Sequence, residues 1–261
     1  MNSKLDAIVL KATPYKENDL ILSLLSSNSG RVDALVRGVK KSRRSVIFTQ
    51  PFSYSEFDLY RSGKQGLYIV DTAEPKENFF ELREDLSALS LAQYFAEVCM
   101  YLPKESLSGD EFMFLRLLLN SLYVLCKKKD ISPLTVKMVF ELKFAKYQGF
   151  EPDFSECSVC GRDEGDIWVF DQGIYCKNCE KDRPGYKIND TVRKIATHIL
   201  KTDNLGAYAV FADDKILSYI GSLTEKYLEF VTERSYKSLD CFRQIRDIEA
   251  LVSKGNDKNN E

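Results

Sequence analysis

Histidine is almost missing from this chain of 261 residues: there is one, His198, alongside a single tryptophan, Trp168. Proton-transfer sites and catalytic zinc sites are built largely on imidazole, so the scarcity argues against both. His198 sits mid-helix in IATHILK and reads as a partly exposed structural ring. Gly-rich phosphate loops, a GxSxG elbow and an HExxH pair are also absent. The carboxylate pair Asp213-Asp214 opens a helix, where the dipole accounts for it without acid–base chemistry. An enzyme is not expected. Net charge is nearly absent too, 37 basic residues facing 39 acidic ones for a formal −2. Any polyanion must therefore be met by a local patch rather than by the whole molecule. No run approaches the roughly 20 apolar residues of a membrane span. The N-terminus, MNSKLDAIVLKATPYKEND, lacks a signal-peptide layout: its apolar run from Ala7 to Leu10 is short and flanked by charge. The expected location is the cytoplasm, with no membrane partner.

Cysteine is what the chain does have, in one place. Of seven, four lie in CSVCGRDEGDIWVFDQGIYCKNC, residues 157–179. The pattern C-x2-C-x15-C-x2-C suits a four-thiolate zinc site, a disulfide pair or a redox centre. A reducing cytosol disfavours disulfides, and a redox CxxC normally occurs once. The expectation is one structural Zn2+ per chain held by Cys157, Cys160, Cys176 and Cys179. With four thiolates the coordination shell is closed, so the ion has no vacancy for chemistry. The fifteen residues between the pairs can form a hairpin that brings them together, with Gly161 and Gly173 at the turns. Cys99, Cys126 and Cys241 stand singly in apolar helical contexts and are expected as buried core thiols.

The hydrophobic period divides the chain. Segments 5–11, 20–26, 31–37, 52–60 and 66–72 are short, rich in β-branched or aromatic residues, and punctuated by Gly, Pro and Asn. They predict a five-stranded OB-fold barrel over residues 1–80. Beyond Pro75 the period becomes helical. Helices are expected over 85–102, 110–126, 133–148, 190–202 and 213–234. Ser108 with Glu111 offers a capping box and Ser132-Pro133 a second helix start. The fold class is thus α+β: an OB-fold barrel, then an all-helical domain, 81–252, with a four-cysteine zinc module inserted at 154–182. The polar tail 253–261 is expected to be disordered.

The largest charge asymmetry is RVDALVRGVKKSRRS, residues 31–45. Arg31, Arg37, Lys40, Lys41, Arg43 and Arg44 stand against Asp33 alone, six cations to one carboxylate, leaving a local +5. Gly38 and the serines make its second half a flexible loop. Several cations on one lobe suit phosphate contact without base reading. Tyr15, Phe48, Phe52, Tyr54, Phe57, Tyr60 and Tyr68 share the region, and rings beside a cationic groove suit base stacking. Alternating spacing sends most of them inward, so only two or three are expected to be exposed.

The stretches AIVLKATPYKENDLIL, SGRVDALVRGVKKSRRS, QPFSYSEFDL, FELKFAKYQGFEPDFSECSVCG and DQGIYCKNC, in this order, resemble the bacterial RecO recombination mediators over nearly the whole chain. The resemblance implies an OB-fold followed by a zinc-bearing helical domain. It also implies binding of single- and double-stranded DNA, annealing of complementary strands, and help in loading RecA onto strands coated by single-stranded-DNA-binding protein, with RecR as partner. By position, Arg37, Lys40, Lys41, Arg43 and Arg44 match the family's basic loop, and the four cysteines its metal-binding form. One departure concerns the third helix, where relatives often carry a basic residue just before Phe-Glu, suited to the acidic tail of single-stranded-DNA-binding protein. Here Lys137 is followed by Met138-Val139-Phe140-Glu141. Two rival readings are a protein-interaction scaffold and an RNA-associated OB/zinc protein with weak nucleic-acid contacts.

Overall fold

Alternation of apolar and polar side chains carries the N-terminal part of the chain, up to Glu77, into strands. In β4, Tyr54–Arg61, residues Ser55, Phe57 and Leu59 turn inward while Tyr54, Glu56 and Asp58 remain half-exposed. The same period runs through β3, Arg31–Val36, whose Val32, Ala34 and Val36 are buried. With β1, Asn2–Tyr15, β2, Asp19–Ser26, and β5, Tyr68–Glu77, these strands close a barrel in the order β1-β2-β3-β5-β4. All neighbours are antiparallel except β3 and β5, which pair in parallel through Ala34↔Tyr68 and Leu35↔Ile69. This is the OB-fold. A bulge between Val9 and Lys11 bends the long β1 around the wall.

The computed structural model describes residues 2–39, 43–61, 67–104 and 111–257. Between β3 and β4 the expected flexible loop is partly a helix, α1, Arg43–Thr49. Its Phe48 enters the barrel core and meets the edge of Phe57 at a centroid distance of 6.1 Å. Burial of that ring is what orders the segment: a seven-residue helix has too few internal hydrogen bonds to stand alone.

Among the described residues the further α-helices are α2, Leu86–Cys99, α3, Glu111–Lys127, α4, Pro133–Tyr147, α5, Asp190–Lys201, α6, Asp214–Thr232, and α7, Lys237–Asp257. Contacts group the chain into two units, Met1–Cys126 with Tyr236–Glu261, and Lys127–Ser235. The last barrel strand ends at Glu77, yet α2, nearly all of α3, and α7 belong to the barrel's unit. Asp85 caps α2 by accepting from Ala88 N at 2.9 Å, and α2 packs on β1. Because α2 covers its outer face, β1 is buried on both sides from Ala7 to Leu10.

Helix α7 has no counterpart among the expected helices. It packs on α2, where Glu97 accepts from Ser238 N at 2.9 Å and Tyr236 meets Tyr94 at 5.6 Å. Among the described side chains of α7 only Leu239 and Phe242 are deeply buried, while Ile248 and Leu251 are exposed. So short an apolar stripe leaves little period to read. Its exposed Cys241 corrects the core-thiol expectation, which holds for the buried Cys99 and Cys126. The helix runs to Asp257, so 253–257 are helical rather than disordered tail. Ser108 of the expected capping box lies outside the described residues.

In the second unit α4 is buried on every side from Leu134 to Ala145, with Lys137, Glu141 and Lys143 included. Ser132 caps it by accepting from Leu134 N, and the chain leaves it through Gly149 at φ +90°. Lys137 Nζ is enclosed by Glu141 Oε1 at 2.8 Å, Glu225 Oε2 at 3.1 Å and the Gly221 carbonyl at 2.8 Å. Thr224 Oγ1 donates to Glu141 at 2.6 Å, joining α4 to α6. Lys143 and Lys146 reach the Leu200 carbonyl at 3.1 and 3.0 Å, where the C-terminus of α5 favours positive charge. Burial and the neighbouring Lys146 push the Lys143 amine below its ordinary value. Removing one partner of a buried pair strands the other, at a cost of roughly 3–5 kcal/mol. Lys137→Met should lower unfolding stability by about that amount in urea titration, and adding Glu141→Leu should recover much of the loss.

Candidate nucleic-acid interface and metal centre

Between α4 and α5 the chain forms a small sheet of β6, Ile167–Val169, β7, Gly173–Tyr175, and β8, Tyr186–Lys187, in the order β7-β6-β8. The β6–β7 hairpin brings the two CxxC turns together, as the spacing predicts. The sulfurs of Cys157, Cys160, Cys176 and Cys179 all lie within 4.8 Å of one another. Cys160 Sγ and Cys176 Sγ are 3.8 Å apart. A tetrahedral ion with bonds of about 2.3 Å requires sulfur edges of about 3.8 Å, whereas a disulfide requires about 2.05 Å. The donors therefore fit a four-coordinate metal, which would hold the hairpin and leave no open position.

Local backbone chemistry supports the cluster. Gly161 and Gly173 adopt φ of +68° and +95°, and a Cβ on Gly173 would clash with Ser158 Oγ. Burial pushes the Cys157 thiol up, yet backbone N–H groups of Cys176, Cys160 and Val159 outweigh it and hold the thiol near 6. Bonding to the neighbouring thiols pushes Cys179 the other way, to about 12. Four adjacent sulfurs cannot all ionise without a cation between them. Trp168 on β6 anchors the module, packing against Phe154 at 4.9 Å and Tyr227 at 4.8 Å.

The basic run lies on the barrel. Arg31 is half-buried on β3 and donates from Nε to the Leu102 carbonyl at 3.3 Å. Arg37 is exposed where β3 ends. Gly38 turns the chain at φ +64°, its N–H bonded to Asp19 Oδ1 at 2.9 Å. Lys40 and Lys41 lie outside the described residues. Arg43 and Arg44 form the start of α1, their side chains likewise outside them. Asp33, the run's carboxylate, is bound by Lys104 Nζ at 2.6 Å and Ser23 Oγ at 2.8 Å. Burial pushes Asp33 up, but these partners hold it below the ordinary carboxylate range. Its charge is thus offset by a lysine from outside the run, something linear spacing does not reveal.

Among the neighbouring aromatics, Phe48, Phe52 and Phe57 are buried, whereas Tyr15 is exposed and Tyr54, Tyr60 and Tyr68 are half-exposed. Three of these tyrosines carry a cation on the ring: Lys16 over Tyr15 at 5.4 Å, Lys76 over Tyr54 at 5.8 Å and Arg61 over Tyr68 at 3.9 Å. Lys137 is enclosed by carboxylates and buried, so it is not placed to grip an acidic tail. His198 is occupied locally, with Nε2 3.1 Å from the Gly206 carbonyl and Nδ1 3.3 Å from Thr202 Oγ1. Asp213 caps α6 by accepting from Ile216 N at 2.9 Å. No helix is long and apolar enough to cross a membrane among the described residues.

A closed five-stranded OB-fold barrel and a helical region holding four clustered cysteines define the class: an OB-fold protein with a candidate metal module. Residues 1–79 match the family described as recombination protein O N terminal, and residues 83–240 the one described as recombination protein O C terminal. The chain is 32% identical over 249 residues to the DNA repair protein RecO of Caldicellulosiruptor bescii, covering 93% of this chain and 98% of that one. The proteins of the same name from Alkaliphilus metalliredigens and Acetivibrio thermocellus are each 29% identical, over 93% of this chain and 99% and 96% of theirs. The chain belongs to the RecO family of DNA repair proteins, mediators rather than enzymes.

Elemental analysis of the purified chain should find about one metal ion per molecule, as expected for one four-thiolate site. Replacing Cys157 and Cys160 by Ser should abolish it, lower the melting temperature and change Trp168 fluorescence. Protons compete for thiolate, so metal retention should fall as pH is lowered.

Proposed function

We propose that this chain is a non-enzymatic recombination mediator that binds single- and double-stranded DNA and anneals complementary strands. With RecR it promotes loading of RecA onto strands coated by single-stranded-DNA-binding protein. The observation that carries the reading is electrostatic: Arg37 of the run 31–45 is exposed where β3 ends, and the run's one carboxylate, Asp33, is already bound by Lys104. Arg31, Arg37, Lys40, Lys41, Arg43 and Arg44 offset phosphate repulsion between two strands, so that complementary bases meet without nucleotide hydrolysis. Half-exposed tyrosines supply sequence-tolerant stacking for single strands.

The cysteine metal is Zn2+ in a structural role. All-thiolate, closed tetrahedral coordination favours zinc over harder ions. The working location is the bacterial cytoplasm, at the nucleoid. Docking of the acidic tail of single-stranded-DNA-binding protein falls to a surface other than the one around Lys137.

Alanine at Lys40, Lys41, Arg43 and Arg44 should abolish strand annealing in a fluorescence-quenching assay while leaving the circular dichroism spectrum unchanged. The slope of log affinity against log salt for single-stranded DNA should flatten by about 3 units, at roughly 0.7 for each phosphate no longer neutralised. Undiminished annealing would refute the assignment of this run. Preference for structured RNA in the same titration would point to an RNA-associated protein, and absence of nucleic-acid binding to a scaffold.

A further inference from the structure

Arg193 lies on α5 beside Val192, on the face that buries Ala196, Ile199 and Leu200, and its own side chain is buried. A guanidinium keeps its charge at any accessible pH, so its five N–H donors must all find acceptors. Nε and Nη2 both reach the Phe154 carbonyl, at 3.2 and 3.1 Å. Nη2 also reaches the Ser155 carbonyl at 2.9 Å, and Nη1 the Asp163 carbonyl at 3.2 Å. The carboxylates of Asp163 and Asp190 complete the set.

These acceptors bracket the first cysteine turn. Phe154 and Ser155 come just before Cys157, and Asp163 just after Cys160. Inside the bracket, Cys157 N donates to the Arg162 carbonyl at 2.8 Å and Gly161 N to the Cys157 carbonyl at 2.9 Å. The segment outside the sheet has no ladder to satisfy its carbonyls. One planar fork from a helix answers that need at both ends of the loop.

We propose that Arg193 is a positioning residue for the four-cysteine centre: its guanidinium ties the two ends of the 154–163 loop and presets Cys157 and Cys160 for the metal. The inference rests on the reading of those cysteines as a metal site. Ordering two of four ligands in advance reduces the entropy lost when the ion binds. It also slows the opening through which the ion leaves. Lysine at this position keeps the charge but, as a point donor, cannot span both ends of the loop.

The test is chelator-driven release of Zn2+ from the loaded full-length chain, followed with a chromogenic chelator. Absorption bands of the Co2+-loaded chain report the tetrahedral thiolate geometry. Arg193→Lys should release the metal about tenfold faster and alter the Co2+ bands, in the range typical of residues that orient metal ligands. Asp163→Asn, which weakens one end of the tie at an exposed carboxylate, should shift release the same way by less. Leu223→Ala, in the core of α6, should lower the melting temperature yet release metal at the wild-type rate.

Release from Arg193→Lys at the wild-type rate with unchanged bands would overturn the assignment. So would equal acceleration by Leu223→Ala, or loss of helical content in Arg193→Lys, since either makes Arg193 a general structural residue. A wild-type chain that takes up no Zn2+ would instead remove the metal reading, and this inference with it.

Discussion

Closure of the barrel is the constraint from which the rest of the N-terminal unit follows. Five strands close only because β3 and β5 pair in parallel through a short register, and a parallel pair cannot be joined by a tight turn. The chain must travel from the end of β3 through α1 and β4 before returning as β5. That detour is where the basic run lies. It departs from β3 at Arg37 and reaches α1, whose Phe48 fills the barrel core. A closed sheet has no free edge for a strand-like ligand to extend.

The second unit uses charge in the opposite way. Lys137 and Arg193 are both buried, and both carry their full complement of acceptors. Lys137 answers carboxylates and a carbonyl between two helices, as a compact cation can. Arg193 answers mainly backbone carbonyls of an irregular loop, where a rigid fork serves several at once. The first weld joins helices; the second joins a helix to a segment with no secondary structure of its own. The aromatic packing of Trp168 against Phe154 and Tyr227 supplies a third, apolar attachment.

Much of this was legible in the sequence where short-range periodicity or spacing is the physical cause. Inward-facing Ser55, Phe57 and Leu59 announce β4, and the fifteen-residue gap between cysteine pairs announces a hairpin. The missed parts arise from tertiary burial. Helix α1 is ordered by one phenylalanine entering the barrel, and α7 by Leu239, Phe242 and a cap-like bond to Glu97 on α2. Cys241 misled because a helix with so narrow a buried stripe exposes most of its circumference. Arg193 carries no signal at all: its loop partners lie 30 to 39 residues away in sequence, and an arginine on an apolar helix face reads as an anomaly until they are seen.

The pairing of Asp33 with Lys104 has a corollary. A carboxylate inside a cationic run is tolerated because a distant lysine offsets it, so the effect of changing either residue depends on the state of the other. Loss of the lysine uncovers an anion within the lobe, whereas loss of the aspartate leaves a lysine with nothing to hold. The two positions are therefore coupled, although 71 residues separate them in sequence.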